Sequence, residues 1–259
     1  MTLLKKEGLG ITREGELLYA IDVVHTGDAI MLNLPADQND IEPIQGELNI
    51  LYEDDYLLIV NKPANMPVHP TKIHQLDTLA NIVSDYQQSR GEHYTFRALN
   101  RLDMDTSGCV IIAKDRITYS IVLPTIHKTY IAVCEGELSD DGVINAPIAL
   151  EEHSKIKRCV REGGAEAITR YHPFAHGSDH TMCKVVLETG RTHQIRCHMS
   201  HIGHPLAGDD LYGGSLELIK RQALHCRTVE LIHPITREKL ILHADIPKEF
   251  EVIIKRRPA

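Results

Sequence analysis

No stretch of this 259-residue sequence approaches the ~20 consecutive apolar residues that a bilayer-spanning helix needs; runs such as 56–60 and 109–113 fall far short. Residues 1–10 carry Lys5, Lys6 and Glu7 with no apolar core behind them, so no secretion signal is expected. Six cysteines (Cys109, Cys134, Cys159, Cys183, Cys197 and Cys226) are scattered without a CxxC pair. That spacing argues against a zinc knuckle or disulfide framework and leaves reduced thiols of a cytoplasmic protein as the expectation. Sixteen histidines include no HExxH, and the pairs His172/His176 and His176/His180 fall in a polar stretch read as a loop without a companion carboxylate, so no metal is expected. Long runs of like charge, internal repeats and low-complexity tracts are absent as well, which excludes disorder as the main state.

Basic charge is in short supply. The net charge is −8, which argues against indiscriminate binding to nucleic acid. The deficit is local: residues 1–60 hold three basic side chains (Lys5, Lys6 and Arg13) against twelve acidic ones, a net of −9. The remainder is close to neutral and can still focus a basic cleft, so RNA stays open as a partner.

Punctuation by Asp, Gln, Asn and Pro between about 35 and 47 divides the chain into a segment 1–46 and a domain 47–259. Within the first, residues 20–34 read as strand, turn and strand, with Gly27 and Asp28 as the turn and Ile30, Leu32 and Leu34 alternating. The second shows short strands at 56–60, 109–113, 128–134, 181–187, 228–232 and 239–244. Two helices stand out. One follows Asp77 as cap, with Leu79, Ile82, Val83 and Tyr86 on one face; the other starts near Arg191, carries Ile195, Met199 and Ile202, and ends at Gly203. Strands outnumber helices without a βαβ alternation, which predicts an α+β fold with a mainly antiparallel, mixed sheet and flanking helices and loops.

Three constellations can carry chemistry. Residues 100–108 form a polar loop with Asp103 and Asp105 that runs through Gly108 into an apolar strand, either a plain connecting turn or a rigidly held site. Residues 188–198 pass from Gly190 into a helix whose first amides suit a phosphate, with Arg196 on the flank of the apolar stripe. A partly buried arginine there wants a carboxylate, which Asp103 or Asp105 can supply. Lys128 and Tyr130 stand at i, i+2 on one strand face, where the ring serves either the core or a stacked base. By contrast, His201-Ile202-Gly203-His204 matches the HIGH signature of class I aminoacyl-tRNA synthetases only by spelling: it falls at a helix end, and no KMSKS-like stretch accompanies it.

Together these segments resemble the RluA-type pseudouridine synthases. The family's HRLDxxTSG loop appears as Asn100 to Gly108, its KxY as Lys128 to Tyr130, its GRTHQIRxH helix as Gly190 to His198, and its GHPLxGDxxYG as Gly203 to Gly213. Ile50 to Asp55, Asn61 to Pro70, Leu224-His225 and His233-Pro234 extend the likeness over roughly 48–250. Two departures stand out: Asn100 replaces the family's histidine, and Asn65 stands where glycine is usual and must accept positive φ. The stretch 114–128 is also several residues short, which remodels a helix beside the cleft.

The resemblance implies a pseudouridine synthase fold with a central RNA-binding cleft and isomerisation of uridine to pseudouridine in structured RNA, ribosomal or transfer, with ribosomal favoured. It assigns Asp103, Tyr130 and Arg196 to catalysis: the aspartate as nucleophile, the arginine as its cationic partner, the tyrosine stacked on uracil. Arg101, Lys128, Arg191, His193 and Gln194 become RNA contacts, with Arg101 filling the space that a flipped uridine leaves. It implies no cofactor and no metal; a monomer is the default expectation, and the segment 1–46 resembles the end of a truncated small RNA-binding domain. Two other readings stand beside it: a catalytically silent RNA-binding protein of the same fold, and a glycoside hydrolase built on Asp103 and Asp105.

Overall fold

The computed structural model describes residues 10–33, 37 and 39–256; Lys5, Lys6, Leu34 and Pro35 lie outside them. Three short strands come first, β1 (Ile11–Arg13), β2 (Glu16–Leu17) and β3 (Ile30–Leu32), and among the described residues they pair only with one another, in the order β2-β1-β3. This corrects the expected hairpin over 20–34. Gly27 does turn, at φ +100°, but the partner of β3 is β1, not 20–26. Side chains compete with strand pairing there. Asp22 accepts from the Tyr19 amide at 2.6 Å, Asp28 from the His25 amide at 2.9 Å, and Arg13 spans to Asp28 at 2.8 Å.

Next comes a hairpin of β4 (Ile50–Glu53) and β5 (Leu57–Lys62), then α1 (Leu79–Ser89). The cap of α1 is Thr78, one residue after the expected Asp77: Thr78 and Asn81 form a reciprocal capping box, and the Asp77 carboxylate meets His74 Nδ1 at 2.6 Å instead. Asn81 and Ser84 donate to the carbonyls of Glu42 and Ile41, so the chain before β4 is tied to α1.

β6 (Ser107–Ala113) is followed by α2 (Arg116–Val122), capped by Asp115, and by β7 (His127–Glu135) and β8 (Gly142–Asn145). A small ribbon, β9 (Ile148–Leu150) with β10 (Arg158–Val160), precedes the long hairpin of β11 (Ile168–His176) and β12 (His180–Leu187). His172, His176 and His180 therefore stand on strands rather than in the expected loop, and His172 does meet a carboxylate, that of Asp141. α3 (Gln194–His201) begins three residues after Arg191, because His193 takes a left-handed conformation, φ 55°, that no helix continues. It ends at the HIGH tetrapeptide, with Gly203 at φ +87°. β13 (Leu224–Ile232), β14 (Lys239–His243) and α4 (Lys248–Lys255) complete the chain.

The large sheet has nine strands in the order β4-β5-β6-β13-β7-β12-β11-β8, with β14 also on β13. Every pairing is antiparallel except β6 with β13. That one parallel contact sets the site. Gly108 lies opposite Cys226, Cys226 opposite Tyr130, and Tyr130 opposite Val185, a row across four strands. Gly108 has φ +115°, and a Cβ there would sit 2.3 Å from the Cys226 carbonyl oxygen, so only glycine lets β6 approach β13 this closely. The loop before β6 is thereby delivered beside β7.

Candidate active site

The 100–107 loop is pinned at both ends and in the middle. Asn100 is buried; its amide donates to Cys109 O and accepts from the Ile111 amide, each at 2.9 Å, locking the loop's start to β6. Lys62, with no exposed surface, donates to Pro63 O and Met66 O at 2.7 Å and to Met104 O at 3.0 Å. It joins the 63–66 turn, where Asn65 takes φ 59°, to the residue next to Asp103. Arg221 donates to Asp105 O at 3.0 Å, and Gln222 to Thr106 Oγ1 at 3.3 Å. A side chain on a loop so constrained is held for use.

Asp103 faces Arg196 of α3. Arg196 Nη1 donates to Asp103 Oδ2 at 3.2 Å, but its stronger bond is to Asp209: Nε and Nη2 make a bidentate fork at 2.7 and 2.8 Å. The Asp209 side chain is 0% exposed and that of Arg196 8%, against 29% for Asp103. One guanidinium therefore serves a fully buried carboxylate and presents its remaining edge to a partly open one. The Tyr212 ring packs 5.1 Å from the guanidinium carbon. Burial opposes the charge on Arg196, but hydrogen bonds and charge from Asp209 and then Asp103 outweigh it, and its pKa is raised. Asp209 is the residue that the sequence reading misses; its only signal is its place in the Gly203 to Gly213 segment.

A cavity of about 70 Å³ opens at this point, lined by Arg101, Asp103, Tyr130, Arg191, His193 and Arg196 among others. It is far smaller than the several hundred Å³ of a typical small-molecule pocket and has room for a small planar group only. Tyr130 is nearly buried, and burial, with Cys226 and Asp103 adding, pushes its pKa well above the ordinary phenol value. It is a neutral ring, not a ready base. His193 lies 3.7 Å from Asp103 Oδ2 and 3.1 Å from the Tyr212 hydroxyl; burial lowers its pKa despite Asp103. Arg101 is exposed at the rim, and Arg191 is held there by a bond to Glu166 O.

Gln194 also lines the cavity, but its amide, 2% exposed, is committed to Thr189, Arg191, Ile168 and Thr169 and braces the turn into α3. Lys128 shares the Tyr130 face of β7 but is not among the cavity's lining residues. Asp105 does not line the cavity either, so the two carboxylates of the hydrolase reading do not share a site. A larger cavity of about 530 Å³ at the far end of β7 is lined by Glu135, Asp179 and Glu217 with Arg256, the wrong balance for a phosphate backbone.

Lys62 carries a pH signature. Burial, with Arg221 adding and Asp105 and Asp103 opposing, brings its pKa down to about 7. In the unfolded chain a lysine titrates near 10.4, so between about pH 7 and 10.4 the unfolded state binds more protons and this group's effect on stability improves as pH rises. Lys62→Met is expected to remove that slope: over this window the wild type gains of order 3 kcal/mol relative to the variant. Urea midpoints of both proteins at pH 7 and pH 10 check it; parallel changes in the two would contradict it.

Residues 56–201 match the family model described as RNA pseudouridylate synthase. The chain belongs to this family. It is 40% identical to an uncharacterized RNA pseudouridine synthase, YhcT, of Bacillus subtilis, over 88% of this chain and 79% of the relative. It is 34% identical to a ribosomal large subunit pseudouridine synthase D of Pseudomonas aeruginosa, over 93% of this chain and 81% of that one. Among solved structures, human RNA pseudouridylate synthase domain containing 1 superposes with a TM-score of 0.62 at 22% identity, covering 81% of this chain and 86% of its own, a likeness of fold. The chain is thus a pseudouridine synthase, an isomerase by family, on a mixed α+β fold. In this family member, the Asn100 that replaces histidine is a backbone clamp rather than part of the cavity.

Proposed function

We propose that this enzyme isomerises uridines in structured ribosomal RNA, with Asp103 as the nucleophile. The observation that carries the reading is the Asp103 carboxylate at the mouth of a ring-sized cavity, against a guanidinium that Asp209 already anchors. The reaction breaks the N1–C1′ bond of uridine and makes a C5–C1′ bond; the C5 hydrogen leaves to solvent and N1 gains a proton. Asp103 attacks the sugar or the uracil ring, Arg196 holds its carboxylate in place, and Tyr130 supplies the face on which the base stacks and turns. Arg101 at the rim fills the stack that the flipped nucleotide leaves, and His193, Arg191 and Lys128 contact the strand. Gln194 acts through the turn it braces. The chemistry needs no metal, redox centre or nucleotide.

Residues 47–259 form the catalytic domain in this reading, and 1–46 a remnant of a small RNA-binding domain. The separate β1–β3 sheet supports the division, and the net charge of −5 over residues 1–46, three basic side chains against eight acidic, makes the segment a poor clamp for phosphates. A cytoplasmic monomer fits this assignment. The ribosomal substrate is favoured by the likeness to the Pseudomonas relative, a ribosomal large subunit pseudouridine synthase. Mapping pseudouridines in a deletion strain tests it: at least one large-subunit position is expected to revert to uridine, and an unchanged ribosomal map with a lost transfer-RNA position would overturn the ribosomal assignment.

A further inference from the structure

His193 lines the catalytic cavity with one ring nitrogen engaged and the other unspent. Its Nδ1 lies 3.1 Å from the Tyr212 hydroxyl, whose oxygen already accepts from the Arg158 amide at 2.8 Å. Among the described residues Nδ1 is the acceptor that the hydroxyl hydrogen meets, so in a neutral imidazole the ring hydrogen sits on Nε2. Nε2 makes no hydrogen bond among the described residues; the carboxylate oxygen it faces, Asp103 Oδ2, is 3.7 Å away and out of reach.

The imidazole is held in place and kept uncharged. Its ring meets that of Tyr212 edge to face, centroids 5.8 Å apart at 83°, and its left-handed backbone, φ 55°, fixes it immediately before α3. The charged groups around it are Asp103, Arg196, Asp209 and Arg158. Burial, with the two arginines adding, outweighs the two carboxylates and lowers its pKa, which leaves a neutral ring at pH 7. Neighbouring donors are already committed: Arg196 to Asp209 and Asp103, and the Gln194 amide to the turn.

Either attack open to Asp103 loads the uracil with electrons. If the carboxylate takes C1′, the pair of the broken N1–C1′ bond stays on the ring and spreads from N1 to the O2 and O4 carbonyls. If it adds to C6, the C5–C6 pair moves toward C4 and its oxygen. A fixed donor aimed at that charge lowers the barrier, because it needs no reorganisation as the charge forms. We propose that His193 is a catalytic residue whose Nε2–H donates to a uracil carbonyl oxygen and stabilises the negative charge built up on the ring. The proposal rests on the reading of Asp103 given above and moves His193 from the strand to the base. The hydrogen bond transfers no proton, so N1 still gains one and C5 still loses one to solvent. A neutral donor suits the place, since an imidazolium would pair with the Asp103 carboxylate and blunt it.

The test compares full-length wild type, His193→Gln and His193→Asn on large-subunit ribosomal RNA transcribed in vitro with tritium at C5 of uridine. Single-turnover rates at saturating enzyme, filter-binding affinities and melting temperatures are read together. Asparagine accepts the left-handed backbone readily, but its amide ends at the level of Nδ1; glutamine extends to the level of Nε2. His193→Asn is expected to lower the saturating rate by about a hundredfold with RNA affinity within about threefold, and His193→Gln to regain at least about tenfold of that loss. A residue that only starts α3 gives the opposite order, with asparagine the better variant and rates following the melting temperatures. One that only touches the strand loses affinity and keeps the saturating rate. Either pattern, or equal rates in all three proteins, overturns the proposal. If His193→Gln is unstable, His193→Asn alone decides, through its rate against its affinity. A wild-type chain that releases no tritium would instead bring down the functional reading on which the proposal rests.

Discussion

Asp103→Asn is expected to lower turnover by at least about a thousandfold while leaving RNA affinity within about threefold. The amide has the shape of the carboxylate and can still accept from Arg196 Nη1, so the loop keeps its place. It lacks the negative charge and the nucleophilicity that the proposed mechanism assigns to Asp103. The fold tolerates the change for a specific reason: Arg196 draws its main neutralising contact from Asp209, so removing the Asp103 charge leaves no buried cation stranded. The pins on Met104, Asp105 and Thr106 do not involve the Asp103 side chain. Single-turnover rates and filter-binding affinities for the two proteins check both halves. Residual wild-type turnover removes Asp103 from the chemistry and, with it, the roles assigned to its neighbours.

Arg196→Ala acts in the opposite manner, on structure first. It leaves Asp209 fully buried without a cation, a change expected to cost about 3–5 kcal/mol. For a chain of this size that is a fall in Tm of roughly 10 °C. Activity is expected to be lost even where the variant is folded, because Asp103 has lost the guanidinium that holds its carboxylate. A second substitution separates the two effects. Arg196→Ala combined with Asp209→Asn regains part of the stability, since the stranded charge is gone, and regains no activity. Thermal melts of the single and double variants, read beside their turnover, test the division; a single variant as stable and active as the wild type refutes the pairing altogether.

The fold and site were unevenly legible. Apolar runs such as 109–113 identify buried strands, because burial on both faces leaves little choice of residue. Helix starts are harder to place. Asp77 and Thr78 are both good caps, and only the reciprocal bond to Asn81 selects Thr78. The start of α3 depends on a left-handed His193, a residue with no strong preference for that conformation. α4 shows only Phe250 and Ile253 as a buried pair, too short a pattern to stand out from the tail.

In the site, Asp103 and Arg196 are visible as a carboxylate and an arginine in need of each other. Asp209 is not, since nothing local says that it points at a guanidinium 13 residues earlier. Lys62 reads as a surface charge in any sequence and is fully buried here, because three backbone carbonyls converge on its ammonium. Both hidden residues belong to contacts between distant segments. Local pattern carries information about the strand and the helix face, and much less about which buried partner closes a network.

The central claim is that Asp103, paired with a guanidinium fixed to Asp209, drives a base rearrangement with no loss of the base. Its most direct measurement uses RNA labelled with tritium at C5 of uridine. Making the C5–C1′ bond expels that hydrogen, so the wild-type enzyme is predicted to release tritium to water in proportion to product, with no free uracil, and Asp103→Asn to release none. Free uracil in the supernatant, or equal tritium release by the variant, would contradict the account.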